Sequence, residues 1–119
     1  MPYDTQAADG IRVLLSGQPG VVEKKMMGGL VFMVNGNMCV TASGRGGILV
    51  RVGPEAQARV QKEPHVKPVT MAGRPMTGFV RVLPEAYRTA AALRKWVKRG
   101  LDFVDTLPAK PARGKKAAG

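Results

Sequence analysis

Few residues of this 119-residue chain carry side chains suited to covalent or acid–base chemistry, and their settings decide what they can do. Cys39 is the single thiol. As a nucleophile it would need a nearby base and an accessible, electropositive setting. It falls instead in the run FMVNGNMCV, where a thiol packs as a small apolar side chain. The one histidine, His65, sits between Pro64 and Val66 with no cysteine or acid at ligand spacing, which reads as a surface residue and not a metal ligand. Glu55 and Glu85 each follow a proline. Proline at the first helical position and an acid near the positive helix end account for both without an acid–base pair. Glu23, beside Lys24 and Lys25, fits an ion-paired strand edge. The expectation is no catalytic residue, no metal and no cofactor.

Binding chemistry has more material. Gly44-Arg45-Gly46-Gly47 could form a backbone nest for a phosphate, with Arg45 and Arg51 in reach. It lacks the strand–loop–helix setting of phosphate-binding fingerprints, and a flexible hairpin loop is the competing reading. Gly28-Gly29 suits a bulge or a close backbone approach. The net charge is +11. Lys110, Arg113, Lys115 and Lys116 near the chain end supply four of those charges, which leaves +7 for the rest. Such a balance favours polyanions, against the plainer reading that charge keeps the protein dissolved. The candidate polyanion contacts are Arg94, Lys95, Lys98, Arg99, Lys115 and Lys116. Of the seven methionines, Met26, Met27, Met33 and Met38 cluster in one stretch, and Met71 and Met76 flank a turn. Methionine fills cores and also forms adaptable partner surfaces.

Residues 23–53 are the stretch that must position these groups. Asn35-Gly36 between apolar runs is a hairpin turn, because a type I′ loop needs positive φ at both central residues. Counting outward, Val34 faces Asn37, Met33 faces Met38, Phe32 faces Cys39, Val31 faces Val40 and Leu30 faces Thr41. One face then carries Leu30, Phe32, Val34 and Cys39, the other Val31, Met33, Met38 and Val40. Both are apolar, so both need cover from helices, a second sheet or another subunit. Val31, Met33, Met38 and Val40 are the candidate interface. A third strand spans residues 48–52.

Around this centre, residues 4–16 read as a helix with a stripe of Ala8, Ile11, Leu14 and Leu15. Residues 21–25 read as an extended edge segment guarded by Lys24 and Lys25. A short helix covers 54–62, a weak edge strand with Pro68 covers 66–71, and a turn leads to a strand over 77–82. The spacing of Ala90, Leu93, Val97, Leu101 and Val104 predicts a helix that starts at Pro84-Glu85 and runs to 107, with Trp96 beside the stripe. Residues 108–119 are polar and basic and read as a disordered tail. The fold class is α+β: an antiparallel sheet of about five strands with helices on one face, in the order α-β-β-β-α-β-β-α. One cysteine, no apolar run of roughly 20 residues and no secretory leader pattern suit a cytoplasmic protein with no membrane partner.

Four segments in this order resemble the N-terminal domain of the TfoX/Sxy family, named for regulators of bacterial natural competence. They are Glu23-Lys24-Lys25-Met26-Met27-Gly28-Gly29, Phe32-Met33-Val34-Asn35-Gly36-Asn37-Met38, Arg51-Val52-Gly53-Pro54-Glu55 and Gly73-Arg74-Pro75-Met76-Thr77-Gly78-Phe79-Val80, with Trp96 in the last helix. Met27 stands where the family pattern has phenylalanine, and both are large and apolar. The resemblance covers residues 3–107 and implies one domain, 1–107, with a secretion-chaperone-like fold that pairs into dimers through its sheet region. In the competence regulators a second, helical domain follows. Here only the basic tail follows, which implies a stand-alone member to which the competence role does not carry over. The functional expectation is a non-enzymatic regulatory module acting through a protein partner or homodimerisation. The alternative is a nucleic-acid binder using the last helix and the tail.

Overall fold

The hairpin turn at Asn35-Gly36 forms as its composition demands. In the computed structural model, which describes residues 3–26 and 28–109, φ is 52° at Asn35 and 82° at Gly36. This left-handed pair joins β2 (Gly29–Val34) to β3 (Asn37–Ala42). Four more strands extend the pair: β1 (Val21–Met26), β4 (Ile48–Arg51), β5 (Val66–Met71) and β6 (Arg74–Val82). The sheet runs β1-β2-β3-β4-β6-β5, with every neighbouring pair antiparallel. The fold class and the order of elements match the expectation. The strand count is six where about five were expected, because residues 21–26 pair along their whole length with β2.

One face lies under helices α1 (Thr5–Leu14) and α3 (Ala90–Val104), with α2 (Pro54–Val60) packed near β6. Residues paired across strands share a face, so its rows can be read directly. Leu30, Ala42, Ile48, Val82 and Val66 form one row, and Phe32, Val40, Val50 and Val80 form the next. Ile11 and Leu15 from the first helical segment, and Leu93, Trp96, Val97 and Val104 from α3, close over them in one buried cluster. Each such side chain stabilises the fold by about 1.5–3 kcal/mol on removal from water. The helix starts have local causes. Asp4 accepts from the Ala7 amide at 3.1 Å and Thr89 accepts from the Ala92 amide at 3.0 Å, each satisfying an otherwise orphaned donor.

Two expectations need correction. The last helix begins at Ala90, not Pro84: Pro84–Ala86 forms a separate 3₁₀ turn, and Thr89 is the cap. The pairing of β2 with β3 shifts between Phe32 and Met33, so Phe32 faces Val40, Val31 faces Thr41 and Leu30 faces Ala42. An extra residue on β3 forms a bulge. It lets both Cys39 and Val40 sit beneath α3 at Gly100, where an added Cβ would lie 3.1 Å from Cys39 Sγ, 3.2 Å from Cys39 O and 3.4 Å from a Val40 methyl. Val40 therefore belongs to the helix-covered face and leaves the candidate interface. Gly29 makes the close approach its sequence suggested, its α-carbon packed against the Ala42 carbonyl. From residue 110 the expected basic tail, with Lys115 and Lys116, lies outside the described residues, as does Met27.

Candidate functional site: the open face of the sheet

On the opposite face, pairing builds one row across all six strands. Lys24 pairs with Val31, Val31 with Thr41, Thr41 with Leu49, Leu49 with Arg81, and Arg81 with Lys67. Beside it Val22 pairs with Met33 and Met33 with Met38, while Arg51 pairs with Phe79. The buried cluster here is Leu49, Val69 and Phe79, with Met38 and Met76 packed against it. All five are strand residues. Val31 and Thr41 are buried, Met33 and Met38 half-buried, and Val22 is exposed. Of the sequence-expected interface, Val31, Met33 and Met38 therefore share this face.

Two of the cations here, Arg81 and Arg51, are held in place. The Arg81 guanidinium donates to Ser43 Oγ at 2.9 Å and to the Gly46 carbonyl at 2.7 Å. Burial, then the charge of Arg45, push its pKa below the usual guanidinium range. Arg51 rests its guanidinium 5.5 Å from the Phe79 ring centre and 5.6 Å from that of Phe103, within cation–π range. Among the described residues, no strand presents a carboxylate on this face. The acids are Asp4, Asp9, Glu23, Glu55, Glu63, Glu85, Asp102 and Asp105. Seven lie on or beside helical segments. Glu23, the one on a strand, turns toward α1, where Arg12 binds its two oxygens at 2.6 and 2.9 Å. That contact lowers the Glu23 pKa. Glu23 thus pairs with Arg12 and not with its neighbouring lysines.

The other sequence candidates are dispersed. On α3, Arg94 and Lys95 are exposed, Lys98 meets Asp102 at 3.2 Å, and Arg99 meets Glu63 at 2.9 Å while stacking 4.4 Å from the Trp96 ring. Two of the four described polyanion candidates are thus already paired. The glycine loop uses its own donors: the Arg45 amide bonds Ser43 Oγ and the Gly46 amide bonds the Ser43 carbonyl. Arg51 lies at the far end of β4 from that loop, not within reach of it. Cys39 is buried, and burial followed by the nearby Asp105 charge pushes its thiol up to about 12, so it stays protonated. His65 is exposed, and among the described residues no group of three His, Cys, Asp or Glu side chains could hold a metal ion. A cleft of 390 Å³ opens between the starts of α1 and α3, lined in part by Asp4, Tyr87 and Arg88. Among the described residues the buried Tyr87 hydroxyl has no hydrogen-bond partner, and burial, then Asp4 and Glu85, raise it to about 12.

Sequence reasoning took Lys24 as an edge guard and passed over Lys67 and Arg81. The usable clue was a cation between two apolar residues in each strand, Val80-Arg81-Val82 and Val66-Lys67-Pro68. What the arrangement offers chemically is binding: an apolar floor edged by positive charge. Compared with known families, residues 13–104 match the TfoX N-terminal domain. No curated protein and no solved structure matches the chain.

Proposed function

The chain belongs to the TfoX N-terminal domain family, and we propose that it serves as a non-enzymatic regulatory module that presents the open face of its sheet to a protein partner or to a second copy of itself. The observation that carries this reading is one-sided cover. Helices pack over the rows of Leu30 and Phe32, whereas the cluster of Leu49, Val69 and Phe79 is made of strand residues alone. Methionines on such a face can repack against partners of differing shape. The working compartment proposed is the cytoplasm, which suits one unpaired thiol. Among the described residues no helix is long and apolar enough to cross a membrane.

Affinity capture with the full chain as bait tests the reading. A partner held by the wild type and lost by the Met33→Asp, Met38→Asp variant, with its fold checked by circular dichroism, supports it. The nucleic-acid reading rests on exposed Arg94 and Lys95. A partner that survives the methionine changes but disappears in Arg94→Glu, Lys95→Glu would move binding to α3 and favour that alternative.

A further inference from the structure

We propose that the open face receives an acidic amphipathic helix from another protein, laid over β2, β3 and β4 between Lys24 on one side and Arg81 with Lys67 on the other. This rests on the open face being the binding surface and adds the chemistry of its occupant.

Charge selects against a second copy. Lys24, Arg51, Lys67 and Arg81 share the face, Arg45 stands beside Arg81, and all eight acids of the chain lie elsewhere. Two such faces brought together would oppose cation to cation in a desolvated interface, which is costly. The chain's own basic residues 110, 113, 115 and 116 are repelled for the same reason.

Width selects a helix. Lys24 on β1 and Arg81 on β6 are four strand spacings apart, roughly 19 Å at the usual interstrand distance. A helix with side chains is about 10–12 Å across. One helix fits between the cations, with room for a glutamate or aspartate on each flank to reach them. Two of these strands, β3 and β4, already accept α3 across their other face.

The floor selects protein over nucleic acid. Single strands bind on aromatic platforms, and Phe79, the one aromatic ring in this face's buried cluster among the described residues, is 8% exposed. Met33, Met38 and Met76 offer instead a pliable apolar bed for leucines spaced three and four apart.

The experiment titrates the full-length chain against a labelled synthetic helix of about 18 residues, with leucines on one stripe and glutamates on both flanks, followed by fluorescence anisotropy. The comparators are a scramble of the same composition, a random-sequence duplex DNA and a single-stranded RNA. The expected result is about tenfold tighter binding of the helix than of the scramble, and about a tenfold loss on Lys24→Glu with Lys67→Glu. Lys24→Gln with Lys67→Gln should give a smaller loss of the same sign, without introducing new charge. Added salt should shrink these differences, and hydrogen-exchange protection should fall on β2, β3 and β4. Equal binding of helix and scramble overturns the proposal. Tighter binding of either nucleic acid, lost on the same reversal, overturns the helix while keeping the face. A dimer by light scattering that parts on the reversal overturns it in favour of a second copy. Protection confined to α3 sinks the underlying assignment of the face itself.

Discussion

Two rows of one sheet, a residue apart in sequence and on opposite sides, show how differently the same strands can be finished. The row of Leu30, Ala42, Ile48, Val82 and Val66 stays apolar through β6 and β5 and is roofed by helices. The row of Val31, Thr41 and Leu49 turns cationic on those strands, at Arg81 and Lys67. Both reach a lysine on β1, Lys25 and Lys24. Central residues therefore do not distinguish a packed face from a docking face. The residues on β6 and β5 do: there the roofed row stays apolar with Val82 and Val66, while the open row carries Arg81 and Lys67.

The comparison is most sharply broken by truncating two neighbours that point opposite ways. Phe32→Ala, fully buried beneath the helices, should cost about 3–5 kcal/mol in urea unfolding. Met33→Ala, half-buried on the open face, should cost about 1 kcal/mol. Equal losses would mean that the open face carries as much of the cohesion as the roofed one. Next in size is Gly100, the point of closest approach between α3 and the bulge. Gly100→Ala should destabilise by about 1–2 kcal/mol, since crowding of about 1–3 kcal/mol outweighs a helix-propensity gain of up to about 1 kcal/mol. Combined with Cys39→Ala, the loss should be less than additive.

Alkaline pH gives a third test of the roofed side. Cys39 is raised from 9.0 to about 12 in the folded chain. The unfolded thiol therefore ionises first, the folded state holds the extra proton, and stability falls as pH rises from about 9 toward 12. The slope is at most about 1.4 kcal/mol per pH unit for this group. Cys39→Ala should flatten the decline between pH 9 and 10 in denaturation series, leaving the part due to Tyr87, which sets in above its ordinary 10.0. The smallest effects are electrostatic. Lys24→Glu with Lys67→Glu should leave stability within about 0.5 kcal/mol, whereas Glu63→Gln, which unpairs Arg99, should cost about 0.2–1 kcal/mol, both read from urea midpoints.

Much of the fold was legible because its cues are local. Asn35-Gly36 fixed a turn, and Ile11, Leu93, Val97 and Val104 announced two helical stripes. Pro84-Glu85 misled about the longest helix, since it starts a 3₁₀ turn and Thr89 performs the capping. The bulge was not legible. Counting from a two-residue turn assumes one partner per residue, and nothing in FMVNGNMCV marks where that fails. Only α3, distant in sequence, leaves room at Gly100 for Cys39 and Val40 together. The open-face row was hidden for a similar reason. Linking Lys24 to Lys67 takes five successive pairings, and the register of β5 on β6 shifts between Pro68 and Thr70. The pairing of Arg99 was equally invisible, because Glu63 meets it only in the folded chain, whereas Lys98 and Asp102 stand at the i,i+4 spacing that the sequence displays.

Asn37 is buried beside the hairpin turn, and its side-chain amide donates to the carbonyl of Pro108 at 3.1 Å. That contact ties Pro108 to the Asn35-Gly36 end of the sheet. A fluorophore attached at Ala109 therefore reports from the Asn35-Gly36 end of the molecule. Energy-transfer pairs and fusion linkers should be laid out from that corner, and Asn37→Ala is the change expected to let the exit point wander.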